Sequence, residues 1–326
     1  MRDLSALPKG HLHVHLDAAA RPETIIELAR DQGVAPPRLS GFTNFDEFIK
    51  SFFALLEVTS SPAALRRVID ESVADAKRDG VRYLELGINP AFRAEVFGSV
   101  EAALETILDQ GMLSAEKHGV SLGFNLTIDR MAGYDQSIAT ARLAAHYADR
   151  GITTIGLANE ERGFPVTDFR DAFRIARDAG LGIAPHAGEL VGPESVRSSL
   201  EVGSTRIQHG VRAVEDPRLI EKLADEAVCL DVCPTSNVVL GVYESIENHP
   251  LPQLLEAGVR CSINADDPTL FANSVTSEYE LGRSTLGLSD HLLAACAWAS
   301  IDCSAAPEDV KAAAKRDIDG WLTNDL

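Results

Sequence analysis

Ala179-Gly180-Leu181-Gly182-Ile183-Ala184-Pro185-His186-Ala187-Gly188-Glu189 passes from helix to strand to a polar cluster within one short stretch. A glycine closes a helical pattern, an apolar run follows at once, and the run ends in residues of the kind that carry chemistry. The same punctuation recurs at Asp79-Gly80-Val81, Arg150-Gly151-Ile152 and Ala257-Gly258-Val259. Outward from these points, short apolar runs predict eight strands, at 10–15, 82–88, 121–128, 153–158, 182–187, 206–209, 228–233 and 260–265. Amphipathic stretches lie between them, such as 63–78 after Ser61-Pro62 and 194–200 after Pro193, where proline pre-sets the first helical turn.

Eight alternating units imply an α/β fold, a single (β/α)8 TIM barrel over residues 1–326, with its site at the C-terminal ends of the strands. A doubly wound open sheet fits less well. No GxGxxG turn follows the first run, and polar clusters follow runs spread along the whole chain.

Composition narrows the partners. The 326 residues carry a formal net charge of −19, which repels a phosphate backbone, so no nucleic acid partner is expected. Neither a signal-peptide core nor a run of ~18 apolar residues occurs, so no membrane partner is expected and the cytosol is the expected location. The five cysteines include no CxxC pair, which points to reduced, buried thiols rather than a disulfide frame or thiolate zinc site.

His11, His13 and His15 alternate along the first strand and are expected to share one face. His186 ends the fifth strand, His209 the sixth, and Asp266-Asp267 the eighth. In a barrel these ends converge on one mouth. Taken singly, Asp266-Asp267-Pro268 reads as a turn, His209 as a buried structural histidine and Glu189 as a helix-start acid; jointly, those readings require coincidence at several strand ends. Neutral imidazoles with a carboxylate suit Zn2+ and leave a position for water, so His13, His15, His186 and Asp266 are the expected ligands of one zinc per chain. Glu189, kept protonated in a dry pocket, is the expected acid for N1 of a purine, with His209 and Asp267 handling the attacking water.

At these residues the chain resembles the adenosine deaminase family of the amidohydrolase superfamily. The likeness runs over nearly the whole sequence: Leu7-Pro8-Lys9, His13-Val14-His15-Leu16-Asp17, Arg21-Pro22-Glu23-Thr24, His186-Ala187-Gly188-Glu189, His209-Gly210, Cys233-Pro234-Thr235-Ser236-Asn237 and Asp266-Asp267-Pro268. The resemblance implies hydrolytic deamination of a 6-aminopurine nucleoside, adenosine or 2′-deoxyadenosine, as the small-molecule partner. It implies Asp17 as the carboxylate for the ribose 5′-hydroxyl and Asp267 near purine N7. Phe48, Ile49, Phe52 and Phe53 resemble an apolar helical gate around 42–60, which also reads as an ordinary buried helix face.

The chain departs from the family pattern at Ala18-Ala19, Gly87, Gly156 and Asn159. Asn159 stands where a glycine commonly approaches the purine edge, so it is expected to bear on ring recognition. Segments 156–163 and 241–244 resemble relatives that deaminate 6-aminodeoxyfutalosine, the leading rival substrate, ahead of adenine and of a non-catalytic binding barrel. No bridging lysine for a binuclear site stands at 156–159, and the HxE…PCxxC pattern of the smaller nucleobase deaminases does not occur.

Overall fold

Near-continuous apolar runs bounded by polar ends suit strands buried on both faces, and the chain builds them in parallel. The computed structural model describes residues 1–42 and 44–323; Thr43, inside the expected gate, and residues 324–326, at the end of the expected barrel chain, lie outside the described residues. Among the described residues eight parallel strands pair in chain order. They are β1 (Lys9–His15), β2 (Val81–Ile88), β3 (Ser121–Asp129), β4 (Ile152–Ala158), β5 (Gly182–Ala187), β6 (Arg206–His209), β7 (Cys229–Val232) and β8 (Arg260–Ile263). All eight stand where the apolar runs predict them, and the fold is a (β/α)8 barrel.

The helices between strands start where local chemistry starts them. Ser61 Oγ accepts from Ala64 N–H at 3.2 Å ahead of the helix Pro62–Arg78, and Ser99 Oγ accepts from Ala102 N–H at 3.0 Å ahead of Val100–His118. Such caps satisfy donors that the first turn leaves open. Gly80 turns the chain into β2 at φ 79°. A Cβ there would sit 2.2 Å from Ser5 O, so no side chain fits without moving the backbone.

Closure depends on residues just past β8. His15 N–H donates to Asp266 O and Asp266 N–H to His13 O, both at 3.0 Å. Asn264 Oδ1 accepts from Leu12 N–H at 2.7 Å and from His13 N–H at 3.2 Å, so a side chain completes the seam. Apolar residues such as Leu84, Leu86, Leu104, Ile107 and Leu108 fill the layer between sheet and helices. Charges cross the barrel interior instead: the Arg206 guanidinium pairs with Glu85 on the opposite side of the ring and lies 2.7 Å from Asp231 Oδ2. Burial is tolerated because each charge has an opposite partner. Among the described residues no single helix is long and apolar enough to cross a membrane.

His11 departs from expectation. The β1–β2 register shifts between His11 and Val14, and His11 lines a cleft beside the helix Pro62–Arg78 with Val14 and Ala19. Its Nε2 accepts from Ala265 N–H at 3.2 Å. His11 therefore serves the seam and does not share the face of His13 and His15.

Candidate active site

Strand ends β1, β5 and β8 bring four donors together. His186 Nε2 lies 3.1 Å from His13 Nε2 and 3.3 Å from His15 Nε2, while Asp266 Oδ1 lies 3.2 Å and 3.3 Å from the same two nitrogens. A tetrahedral metal with bonds of about 2.0–2.1 Å separates its ligands by roughly 3.3 Å, so the donor set has the size of a zinc site. Orientation agrees as well. His13 Nδ1 lies 3.2 Å from Asp231 O, a group that can only accept, so the proton is on Nδ1 and the Nε2 lone pair faces the cluster. Asp266 Oδ2 accepts from Ser236 Oγ at 2.6 Å, leaving Oδ1 for the centre. Cys233 Sγ stands 3.4 Å from His13 Nδ1. Burial pushes its thiol well above the ordinary range, so it backs the imidazole as a neutral group.

His209 and Asp267 flank this cluster, and Glu189 lies on its cavity side. Glu189 Oε1 is buried without a hydrogen-bond partner among the described residues and sits 3.4 Å from His209 Nε2. Burial, reinforced by Asp266, Glu161 and Asp267, pushes the Glu189 carboxyl well above the usual range, the direction that suits an acid. Burial and then Asp266 raise Asp267 in the same direction, and its Oδ1 also lacks a partner among the described residues. His209, buried beside His13, is lowered to about 3 and stays neutral. Asn159, His209 and Asp266, at the ends of β4, β6 and β8, adopt φ of 79°, 63° and 64°. Left-handed backbone at such residues costs about 1–3 kcal/mol each, and strain of this kind gathers at functional sites.

Several residues that support the site are not among those picked out from sequence. The buried Glu161 carboxylate accepts from Gly188 N–H at 2.7 Å, Glu189 N–H at 3.2 Å, Leu190 N–H at 2.6 Å and Val191 N–H at 2.8 Å, clamping the loop that carries Glu189. The buried Arg130 guanidinium donates to the carbonyls of His186 and Phe164. Glu161 falls in the segment 156–163 noted above, but neither residue has a periodic signal.

The cavity beside the cluster is walled by polar pairs and roofed by aromatic rings. Asp17 lines it, and its Oδ1 is paired with the Nη1 of Arg93, itself fully buried, a partner invisible in the sequence. Asp129 Oδ1 accepts from Asn159 Nδ2 at 2.9 Å, so the expected ring-side residue is tied to a carboxylate at the end of β3. Phe45, Phe48, Ile49, Phe52 and Phe53 of the helix Phe45–Thr59 all border the space. Phe48 is also core, stacked on Phe271 with centroids 5.4 Å apart. The same side chain thus borders the cavity and packs in the core.

A family model described as adenosine deaminase matches residues 8–321. The chain is 42% identical to a putative adenosine/adenine deaminase of Streptomyces virginiae, over 99% of this chain and 98% of that one. In structure it is similar to an adenine deaminase from Arthrobacter aurescens, with TM-score 0.90 at 28% identity, covering 97% of this chain and 99% of the other. It is also similar to an amidohydrolase from Burkholderia ambifaria with bound zinc, with TM-score 0.88 at 26% identity, covering 98% and 92%.

Proposed function

From the premise that this chain belongs to the adenosine deaminase family, a family of hydrolytic enzymes, we propose that it deaminates a 6-aminopurine nucleoside, adenosine and 2′-deoxyadenosine before others. His13, His15, His186 and Asp266 would hold one zinc ion, which when bound supplies a water acidic enough to ionise near neutral pH. Glu189 carries the proton that purine N1 takes up as C6 accepts the water's oxygen, and ammonia then leaves. His209 and Asp267 hold that water against C6. Asp129 and Asn159 border the ring, and the helix Phe45–Thr59 closes over it as an apolar gate that excludes bulk water.

The observation that carries this reading is the four-donor cluster with the buried Glu189 at its edge, its Oε1 without a hydrogen-bond partner among the described residues. For the sugar, the support is Asp17, which lines the cavity with one oxygen on Arg93 and so can offer the other to a 5′-hydroxyl. The same pair favours a second reading, adenine itself. Arg93 already neutralises Asp17, so a base without ribose leaves no lone buried charge, and the penalty that would otherwise exclude it shrinks. Values of kcat/KM for adenosine, 2′-deoxyadenosine, adenine and 6-aminodeoxyfutalosine, with metal content measured on the same preparation, test both. Nucleosides ahead by about tenfold or more support the first reading. Adenine ahead supports the second, 6-aminodeoxyfutalosine ahead overturns both, and no turnover of any purine by zinc-loaded protein overturns the reaction.

A further inference from the structure

The motif Cys233-Pro234-Thr235-Ser236-Asn237 supplies partners to His13 through Cys233 and to Asp266 through Ser236. Its last residue leads further. Asn237 Nδ2 lies 3.1 Å from His209 Nδ1, and Asn237 Oδ1 lies 3.1 Å from His249 Nε2. His249 Nδ1 in turn faces Leu251 N–H at 3.3 Å. Asn237, His249 and His209 are all buried.

The direction of this chain follows from its far end. A backbone amide only donates, so His249 Nδ1 must present a lone pair to Leu251. Burial drives the His249 imidazole to about 3, so it is neutral and its single ring proton is on Nε2. That N–H needs an acceptor, which places Asn237 Oδ1 toward His249 and the Asn237 NH2 toward His209. Rotating the amide by half a turn would set two donors face to face in a site closed to water, a conflict worth more than the bond itself. Asn237 is also held by its own carbonyl, which accepts from Val242 N–H at 2.8 Å and Tyr243 N–H at 3.1 Å. An NH2 group only donates, so His209 Nδ1 must be the lone-pair nitrogen.

We propose that Asn237 and His249 are positioning residues that hold His209 as its Nε2–H tautomer, so that His209 meets the attacking oxygen as a hydrogen-bond donor and not as a base. This rests on the deaminase reading above. With His209 a donor, the proton that the water loses falls to a carboxylate just past β8 and leaves with the ammonia, while Glu189 gives its own proton to N1. Fixed donors aimed at developing charge are among the largest contributors to catalysis, because no reorganisation is required when the charge forms.

The tautomer can be read directly. In zinc-loaded protein labelled with 15N-histidine, a long-range 1H–15N correlation spectrum should show His209 and His249 protonated on Nε2, with His209 assigned from its absence in His209→Gln. In Asn237→Asp both carboxylate oxygens accept, so His209 should invert to Nδ1–H. The variant should then lose about 10²-fold or more in kcat, with KM changed less than about threefold and zinc content unchanged. Wild-type His209 protonated on Nδ1 overturns the proposal, as does an inverted tautomer with unchanged kcat. Should Asn237→Asp fail to fold, the wild-type spectrum alone decides the tautomer, and His249→Phe, which frees the amide to rotate, should populate both tautomers. The expected tautomer in a protein inactive on every purine would overturn the deaminase reading while upholding the hydrogen-bond chain.

Discussion

Burial pushes the Glu189 carboxyl well above the range of a carboxyl in water, and Glu161 holds its loop by accepting from Gly188, Glu189, Leu190 and Val191. Glu189→Gln keeps the shape and removes the acid. It should lower kcat by about 10²–10⁴-fold while zinc content and circular dichroism stay as in the wild type. Near-normal steady-state turnover would remove Glu189 from the chemistry. Asp17 needs a different experiment, because Arg93 is buried against it. Arg93→Met strands the carboxylate and should destabilise the fold by about 3–5 kcal/mol. Adding Asp17→Asn should restore most of that loss while still weakening the preference for adenosine over adenine. Equal denaturant midpoints for the single and double variants would show that the pair is not coupled.

At the scale of elements, β1 is joined to its surroundings by a lysine. Lys9 Nζ donates to Leu4 O at 2.9 Å and to Asp79 O at 2.6 Å, tying the N-terminal segment and the turn before β2 to the first strand. Burial lowers this amine from 10.5 to about 8. Between those values the unfolded chain binds the proton and the folded chain does not, so stability rises with pH across the window. The full swing for such a shift is about 3 kcal/mol, at ~1.4 kcal/mol per unit. Urea midpoints of wild type and Lys9→Met at pH 7.5 and pH 10 should therefore shift relative to each other in favour of the wild type at the higher pH. Parallel changes would show that Lys9 titrates alike in both states.

Across the whole molecule, the proposed ligands tie β1 to β5 and β8, so a metal there links residues 13 and 266 as well as serving chemistry. Zinc removal by a chelator should abolish turnover and lower the melting temperature. The linkage amounts to about 4 kcal/mol when free metal exceeds its dissociation constant a thousandfold. Metal analysis of active protein should find one zinc per chain. Two per chain, or full activity without a transition metal, would contradict the single four-donor site.

What the sequence by itself determined is the local part of this protein. Eight apolar runs became eight strands, and Ser61 and Gly80 start and end elements where their chemistry requires, because caps, turns and strand periodicity depend on near neighbours. His13, His15, His186, Glu189, His209, Asp266 and Asp267 were legible because a parallel barrel sends every strand's C-terminal end to one mouth. Only the tertiary structure decided which distant groups meet. Strict alternation puts His11 beside His13, but a register shift between β1 and β2 turns it away and its Nε2 takes the Ala265 N–H at the closing seam instead. Arg93 on Asp17, Glu161 under the Glu189 loop, and His249 behind Asn237 and His209 join residues 76, 28 and 12 or 28 positions apart. No local pattern records such pairs, because each is imposed by burial: a polar group shut away from water must take the partner that the packed chain brings within reach.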